Sequence, residues 1–442
     1  MSVAVRAATR QLLPEPPVLD SAAGRVSRTS QRLALAMAVL IVLGLAAGVA
    51  GVTSVQDRAA LVDEVTTRDG PLVLAAQDLY RSLSDADATA ASAFLTDGPE
   101  PVELRERYQA DIANASAALA TASSGVTEGP AAEAVAVLAI QLPVYTGLVE
   151  TARAYNGQGL PVGAAYLREA SGVMRVSLLP AAEQLFQAVS EELDEARNGA
   201  ARLPWLALLL GVALLVSLII VQNRLTRRTN RLFNVGLVVA SAAALASVLW
   251  LTLSWWSASG HLDASNRDGS AQVALLSEAR IGALQARSDE AHTLVARGSG
   301  EDYEQHYKTV MARLVGEGGL LEEARREATD RQAEAAVDEA MVAAGQWMDI
   351  HAEVRRLDER EGDYPAAVAL AIGLDEQSAG AAFGDLDEAL GGGIGYGNER
   401  FVREAEQAGS ALSGVGIGLG LLTALLLAGI VVGIQQRLGE YR

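Results

Sequence analysis

Four long uncharged runs constrain this chain more than any other feature: Leu33 to Gln56, Leu203 to Asn223, Leu232 to His261 and Gln407 to Gln436. Each reaches the roughly 20 residues that a helix needs to cross about 30 Å of hydrocarbon. The expected spans are 33–56, 203–223, 232–256 and 411–434. Basic residues precede the first run, and Ala46-Ala47-Gly48-Val49-Ala50 resembles a signal-peptidase site. The run is too long for an ordinary signal-peptide core, so it reads as a retained anchor. With no cysteine, disulfides, thiolate metal sites, cysteine nucleophiles and a lipidated N-terminal cysteine are all excluded.

Charge predicts the orientation, because basic residues near span ends stay on the cytoplasmic side. The tail 1–32, the loop 224–231 and the tail 435–442 carry 11 basic residues against three acidic ones. The segment 57–202 has 21 acidic and 10 basic residues, and 257–410 has 30 and 14. Both termini and the short loop are therefore expected in the cytoplasm, and the two large segments outside the plasma membrane. The net charge of −19 belongs to those outer segments, which makes nucleic acid and anionic lipid poor partners for them.

The chain repeats itself in outline. A shift of 199 positions carries Leu33 to Leu232, Arg68-Asp69-Gly70 to Arg267-Asp268-Gly269, Arg81 to Arg280 and Tyr108 to Tyr307; later the shift drifts to about 204, where Leu160-Pro161 meets Tyr364-Pro365. Alanine, leucine, glutamate and arginine dominate both outer segments, and breakers come at intervals, so the fold class is all-α. In the first copy the breakers delimit helices near 71–97, 102–123, 130–156 and 161–179, and 57–69 and 181–202 form a two-helix stalk. Leu185, Val189, Leu193, Ala196 and Ala200 mark the buried side of the last stalk helix. The expectation is two tandem four-helix bundles on stalks. Gly316 to Gly319 either kinks the second helix of the second copy or shifts a loop.

No catalytic, cofactor or metal constellation stands out. His261, His292, His306 and His351 lack ligand spacing and read as exposed helix positions. Asp85 with Asp87, and Glu322 with Glu323, read as solvated acidic faces. Gly391, Gly392, Gly393, Gly395 and Gly397 lack the flanks of a phosphate loop and read as a helix interruption. None of the spans carries a charge, which argues against a conducting pathway. Gly414-Val415-Gly416-Ile417-Gly418 offers a small-residue face for assembly of spans, within one chain or in a homo-oligomer. Candidate hinges lie where bundle meets stalk, at Gly70, Pro71, Pro180, Gly269 and the triplet Gly391, Gly392, Gly393.

A bundle whose first and last helices continue into spans resembles the ligand-binding domains of bacterial chemoreceptors and sensor kinases. No HAMP linker, kinase or methyl-accepting rod follows span 2 or span 4, so the chain is expected to need partners. The segment from Ala76-Gln77-Asp78-Leu79-Tyr80 to Ala93-Phe94-Leu95 is similar to sequences of the actinobacterial GlnX-type membrane proteins. That resemblance implies a non-enzymatic adaptor between an extracytoplasmic lipoprotein that binds glutamate, glutamine or aspartate and a cytoplasmic serine/threonine kinase, protein kinase G. The lipoprotein would dock on the distal tip, at Asp97, Gly98, Pro99, Glu100, Asn156, Gly157, Gln158, Gly159, Gly298, Asp302, Asp363 and Tyr364. Inside, Arg224, Arg227, Arg228 and Arg231 offer donors to an acidic partner, and they also serve as a topology signal. Two alternatives stand beside this reading. One is direct sensing, with Arg81, Arg105, Arg153 and Arg168 as carboxylate binders; the other is a structural protein of the cell envelope.

Overall fold

The computed structural model describes residues 20–96, 100–229, 234–265, 271–296, 298, 300–373, 375 and 377–439, and these are helical with short turns and no strand. They divide into two compact units, Met1–Gln56 with Pro204–Leu253 and Gly414–Arg442, and Asp57–Leu203 with Ser254–Ser413.

The first unit contains the apolar parts of α1 (Asp20–Glu64), α7 (Trp205–Thr229), α8 (Val235–Ser265) and α15 (Val415–Gly439). Its centre is Leu40, Leu214, Leu218, Leu237, Leu426 and Ile430. Large apolar side chains such as Leu35, Val42, Leu209, Val216, Leu245 and Leu421 face outward, which is compatible with a surface in contact with lipid. Helices α8 and α15 touch through glycine. A Cβ on Gly236 would lie 2.5 Å from the Gly433 nitrogen, and one on Gly429 would lie 2.6 Å from the Gly236 carbonyl oxygen. Asn234 Nδ2 donates to the Gly433 carbonyl at 2.6 Å. The close approach therefore uses Gly429 and Gly433, four apart on one face. In the expected stretch, Gly414 turns the chain at a φ of +74° and Gly418 faces Trp250.

The second unit holds two main cores. The first is enclosed by α2 (Gly70–Leu95), α3 (Val102–Gly125), α4 (Gly129–Asn156), α5 (Val162–Val173) and α6 (Leu179–Ala201), with Leu79, Leu83, Leu138, Tyr145, Leu167, Met174 and Leu185 fully buried. The α6 pattern is amphipathic: Leu185, Val189, Leu193 and Ala200 are buried, while Glu191, Glu192, Asp194 and Glu195 are exposed. The second core is enclosed by α9 (Ala271–Val295), α10 (Glu301–Val315), α11 (Leu320–Glu327), α12 (Arg331–Arg355) and α14 (Ala379–Leu412), with the short α13 (Tyr364–Ile372) beside them. Trp347 is its largest buried side chain, met edge-on by Tyr307 at 5.6 Å and Phe383 at 5.4 Å.

Three of the expected breakers do not interrupt the helical path. At Gly70-Pro71 and Pro180 the helical path continues, because a π-turn precedes each: 65–69 closes with the Gly70 N–H on the Val65 carbonyl, and 174–178 with the Leu179 N–H on the Met174 carbonyl. The extra residue of a π-turn shifts the hydrogen-bond register and accommodates a proline that lacks a donor. Gly391 to Gly397 do not interrupt the helix either; they lie inside α14. Two of them pack closely, since a Cβ on Gly391 would meet the Arg280 guanidinium at 3.3 Å and one on Gly393 would meet Leu276 at 2.8 Å, whereas Gly392 and Gly395 face open space. Gly316 to Gly319 form a real break, with Gly318 at a φ of +71°, which splits the second helix of this half into α10 and α11.

Candidate functional site

The two cores meet where α2 packs on α9, and this contact explains the buried polarity of both helices. Every residue from Ser82 to Ala93 is buried, because α2 has α3 and α6 on one side and α9 on the other. The pair Asp85 and Asp87, expected on a solvated face, is therefore inside the protein.

Asp87 is the centre of a network that joins the two cores. Ser171 from α5 donates to Asp87 Oδ1 at 2.8 Å, Tyr145 from α4 donates to the same oxygen at 3.4 Å, and Ser288 from α9 donates to Oδ2 at 3.1 Å. His292, one turn beyond Ser288, places Nδ1 2.7 Å from the Ser288 carbonyl and Nε2 2.8 Å from Ser171 Oγ. The ring stacks on Tyr303 at 5.3 Å. Further links along the seam are Gln77 Nε2 to Ser277 Oγ at 2.7 Å, Gln285 Nε2 to the Tyr80 hydroxyl at 2.7 Å, and Arg175 Nη2 to the Tyr303 hydroxyl at 2.9 Å.

A second buried cluster lies within the C-terminal core. His351, expected exposed, is buried and bridges two carboxylates, with Nδ1 2.9 Å from Glu290 Oε1 and Nε2 3.2 Å from Glu304 Oε2, and it lies flat on Tyr307 at 3.7 Å. Burial works against its charge, but hydrogen bonds to Glu290 and Glu304 prevail and raise its pKa. Burial likewise pushes both glutamates up. The hydrogen bonds from His351 and the neighbouring positive charges together outweigh it, holding Glu290 below the usual range and Glu304 at about 2. Arg287 at 2.5 Å and Trp347 at 3.3 Å complete the shell of Glu290. Asp85 and Asp111 form the opposite case. Burial, then the charge of Asp387, raises Asp85 to about 6, and burial, then the charge of Asp85, raises Asp111 to about 7.

Beside the seam is a cleft of about 690 Å³ between α5–α6 and α9–α10. Its floor carries Tyr80, Gln285 and Ser288, and its walls carry Arg168 and Glu183 on one side and Asp302 and Tyr303 on the other. A smaller cavity of about 180 Å³, lined mainly by apolar groups such as Val73, Phe186 and Phe401, lies nearer the stalk helices.

The four arginines expected to bind carboxylates do not converge. Arg81 lies against Asp78 at 3.8 Å and Asp85 at 3.5 Å. Arg105 and Arg153 share Glu100, at 2.9 Å and 3.0 Å, and Arg153 also covers the Tyr108 ring at 4.1 Å. Only Arg168 reaches the cleft. At the expected tip, Asn156, Gly157, Gln158 and Gly159 form an exposed turn, and Gly298 has a φ of +85°. Glu100 is held by its arginines, the Asp363 carboxylate accepts from the Ala366 N–H at 3.2 Å, and the Tyr364 hydroxyl donates to the Leu294 carbonyl at 3.1 Å. Asp302 lies in the cleft wall. Arg224 is exposed on α7. Asp97, Gly98, Pro99, Gly269 and Arg231 lie outside the described residues, as do the side chains of Arg227 and Arg228.

Residues 61–198 match the family described as Actinobacterial sensor domain. The matched segment holds the first core and one half of the seam, including Asp87, Arg168, Ser171 and Arg175. It supports an actinobacterial sensor protein with a sensing or signalling role. No curated protein and no solved structure matches the chain. Five described helical stretches are long and apolar enough to cross a membrane, which is compatible with a multi-pass membrane protein.

Proposed function

We propose that the chain is a non-enzymatic transmembrane signalling adaptor, carrying information on amino-acid availability from outside the plasma membrane to a kinase inside. The spans are the apolar parts of α1, α7, α8 and α15, and the helical groups 57–202 and 257–410 are tandem copies of one outer bundle. The fifth apolar stretch, Gly129–Asn156, is α4, a helix that buries Leu138, Tyr145 and Val149 in the first core. The observation that carries the reading is the position of the sensor-domain match, 61–198, between two apolar helices whose far ends are arginine-rich.

On this reading a lipoprotein loaded with glutamate, glutamine or aspartate docks at the exposed turn 156–159 and its neighbours, and a serine/threonine kinase meets the arginine-rich loop 224–231. The test is a pull-down with the detergent-solubilised chain, with and without glutamate or aspartate. Amino-acid-dependent recovery of a solute-binding lipoprotein is expected, together with a kinase. Recovery of neither refutes the adaptor.

Direct small-molecule sensing is the second reading, favoured by the cleft of about 690 Å³, which falls within the roughly 300–1,000 Å³ of small-molecule sites.

A further inference from the structure

We propose that the cleft between α5–α6 and α9–α10 binds a small zwitterion, a molecule of amino-acid or short-peptide type that carries both a carboxylate and an ammonium group. The proposal rests on the reading of the chain as a sensor and gives that sensor a site of its own. The charges on the walls carry the argument. Asp289 and His306 satisfy each other at 2.5 Å, and Arg175 is committed to Tyr303 by a hydrogen bond of 2.9 Å and by stacking at 4.6 Å. What remains without a partner is Arg168 on the first wall, which makes no hydrogen bond or ion pair among the described residues, while Arg175 keeps its positive charge in the same cleft. The second wall presents Asp302, equally unengaged, and Glu183 holds only Gln187 at 3.3 Å. A dianion entering the cleft would meet Asp302 and Glu183, and a diamine would meet Arg168 and Arg175. A zwitterion meets a complement for each of its charges: the planar Arg168 fork for the carboxylate, and Asp302 or Glu183 for the ammonium.

The same cleft is wired to the seam. Ser288 on its floor donates to buried Asp87, and Tyr303 on its wall stacks on His292. An occupant that draws Arg168 and Asp302 together therefore presses on the hydrogen bonds that join α2 and α5 to α9. A ligand shifts such an equilibrium only by its differential affinity for the two arrangements, and contacts to both walls supply that difference.

The test uses the full chain in detergent micelles or nanodiscs, by calorimetry and thermal unfolding. The panel is glutamate, glutamine and a neutral dipeptide as zwitterions, glutarate as a dianion without ammonium, and a linear diamine without carboxylate. At least one zwitterion is expected to bind and to raise the unfolding temperature, with no response to glutarate or the diamine. Arg168→Ala and Asp302→Ala should each weaken that binding tenfold or more, while Arg168→Lys retains part of it. Both side chains are exposed and hold nothing else in the fold, so the unliganded unfolding temperature should stay within about a degree. Absence of binding by every zwitterion, or equal binding in both alanine variants, would overturn the proposal. Lipoprotein capture is scored separately, so failure of the cleft leaves the adaptor reading to its own experiment.

Discussion

Replacing His351 by leucine tests the buried charge cluster most directly. Among the described residues the imidazole is the one group that bonds both Glu290, 1% exposed, and Glu304. After its removal Glu304 keeps Lys308 at 3.0 Å and Arg355 at 3.2 Å, whereas Glu290 is left with Arg287 and the weak Trp347 contact. Leaving a buried charge uncompensated costs about 3–5 kcal/mol, and with Arg287 still paired to Glu290 the low end of that range, about 3 kcal/mol, is expected. At roughly 2 °C per kcal/mol for a large helical unit, the unfolding temperature should fall by about 6 °C. The double variant His351→Leu with Glu290→Gln removes the carboxylate that has lost a partner and should recover part of the loss. The pH dependence has a definite sign. The pKa of His351 is raised by folding, so its stabilisation is complete below the unfolded value of about 6.5 and is lost as the pH rises through the folded value. The gap between wild type and His351→Leu should therefore be widest in mildly acidic buffer and narrow in alkali, as read by differential scanning fluorimetry of the purified chain. A shift under 2 °C at pH 6, with no recovery in the double variant, would refute the bridging role of His351.

Asp111→Asn should act in the opposite direction. Folding raises this carboxyl from 3.8 to about 7, so the wild type loses stability as the pH climbs between those values, and the amide should flatten that loss in a pH series of melts. Asp330→Ala removes an N-cap whose carboxylate accepts from Gln332 and Ala333, both at 2.9 Å, and should destabilise α12 by about 1–2 kcal/mol in chemical unfolding. Gly433→Leu should separate α8 from α15, where a Cβ would already lie 2.9 Å from Asn234 Oδ1. Loss of monodisperse protein on gel filtration in detergent, with Ala at the same position tolerated better, is the expected outcome.

The parts of this structure that the sequence disclosed are those governed by one-dimensional rules. Uncharged length identifies α7, α8 and α15, and steps of three and four residues identify the buried side of α6. The seam was hidden because Ser84-Asp85-Ala86-Asp87-Ala88-Thr89 has the composition of a solvated surface. Its burial comes from a second helix group 200 positions away in the chain, and single-helix periodicity carries no trace of that packing. One signal was available: small and polar residues occupy every face of α2 from Ser82 to Ala93, with no long charged side chain to mark a solvent side. In α14 low helix propensity is overridden by tertiary packing, with Gly391 close to Arg280 and Gly393 close to Leu276.

The distribution of polarity also indicates which part of the outer unit can change. Within each core, packing is dominated by leucine, alanine and aromatic rings, and such contacts tolerate few alternative arrangements. At the α2–α9 seam the specific contacts are hydrogen bonds among Asp87, Ser171, Ser288 and His292, with further pairs at Gln77–Ser277 and Tyr80–Gln285. A neutral pair can be exchanged for water at a net cost of about 1 kcal/mol and one to a carboxylate at about 1.5–3 kcal/mol, less than opening an apolar core. A seam held in this way opens before either core does. Any signal received by these helices is therefore best carried as a change in how α2 and α9 meet, with the two cores moving as rigid pieces on either side of Asp87.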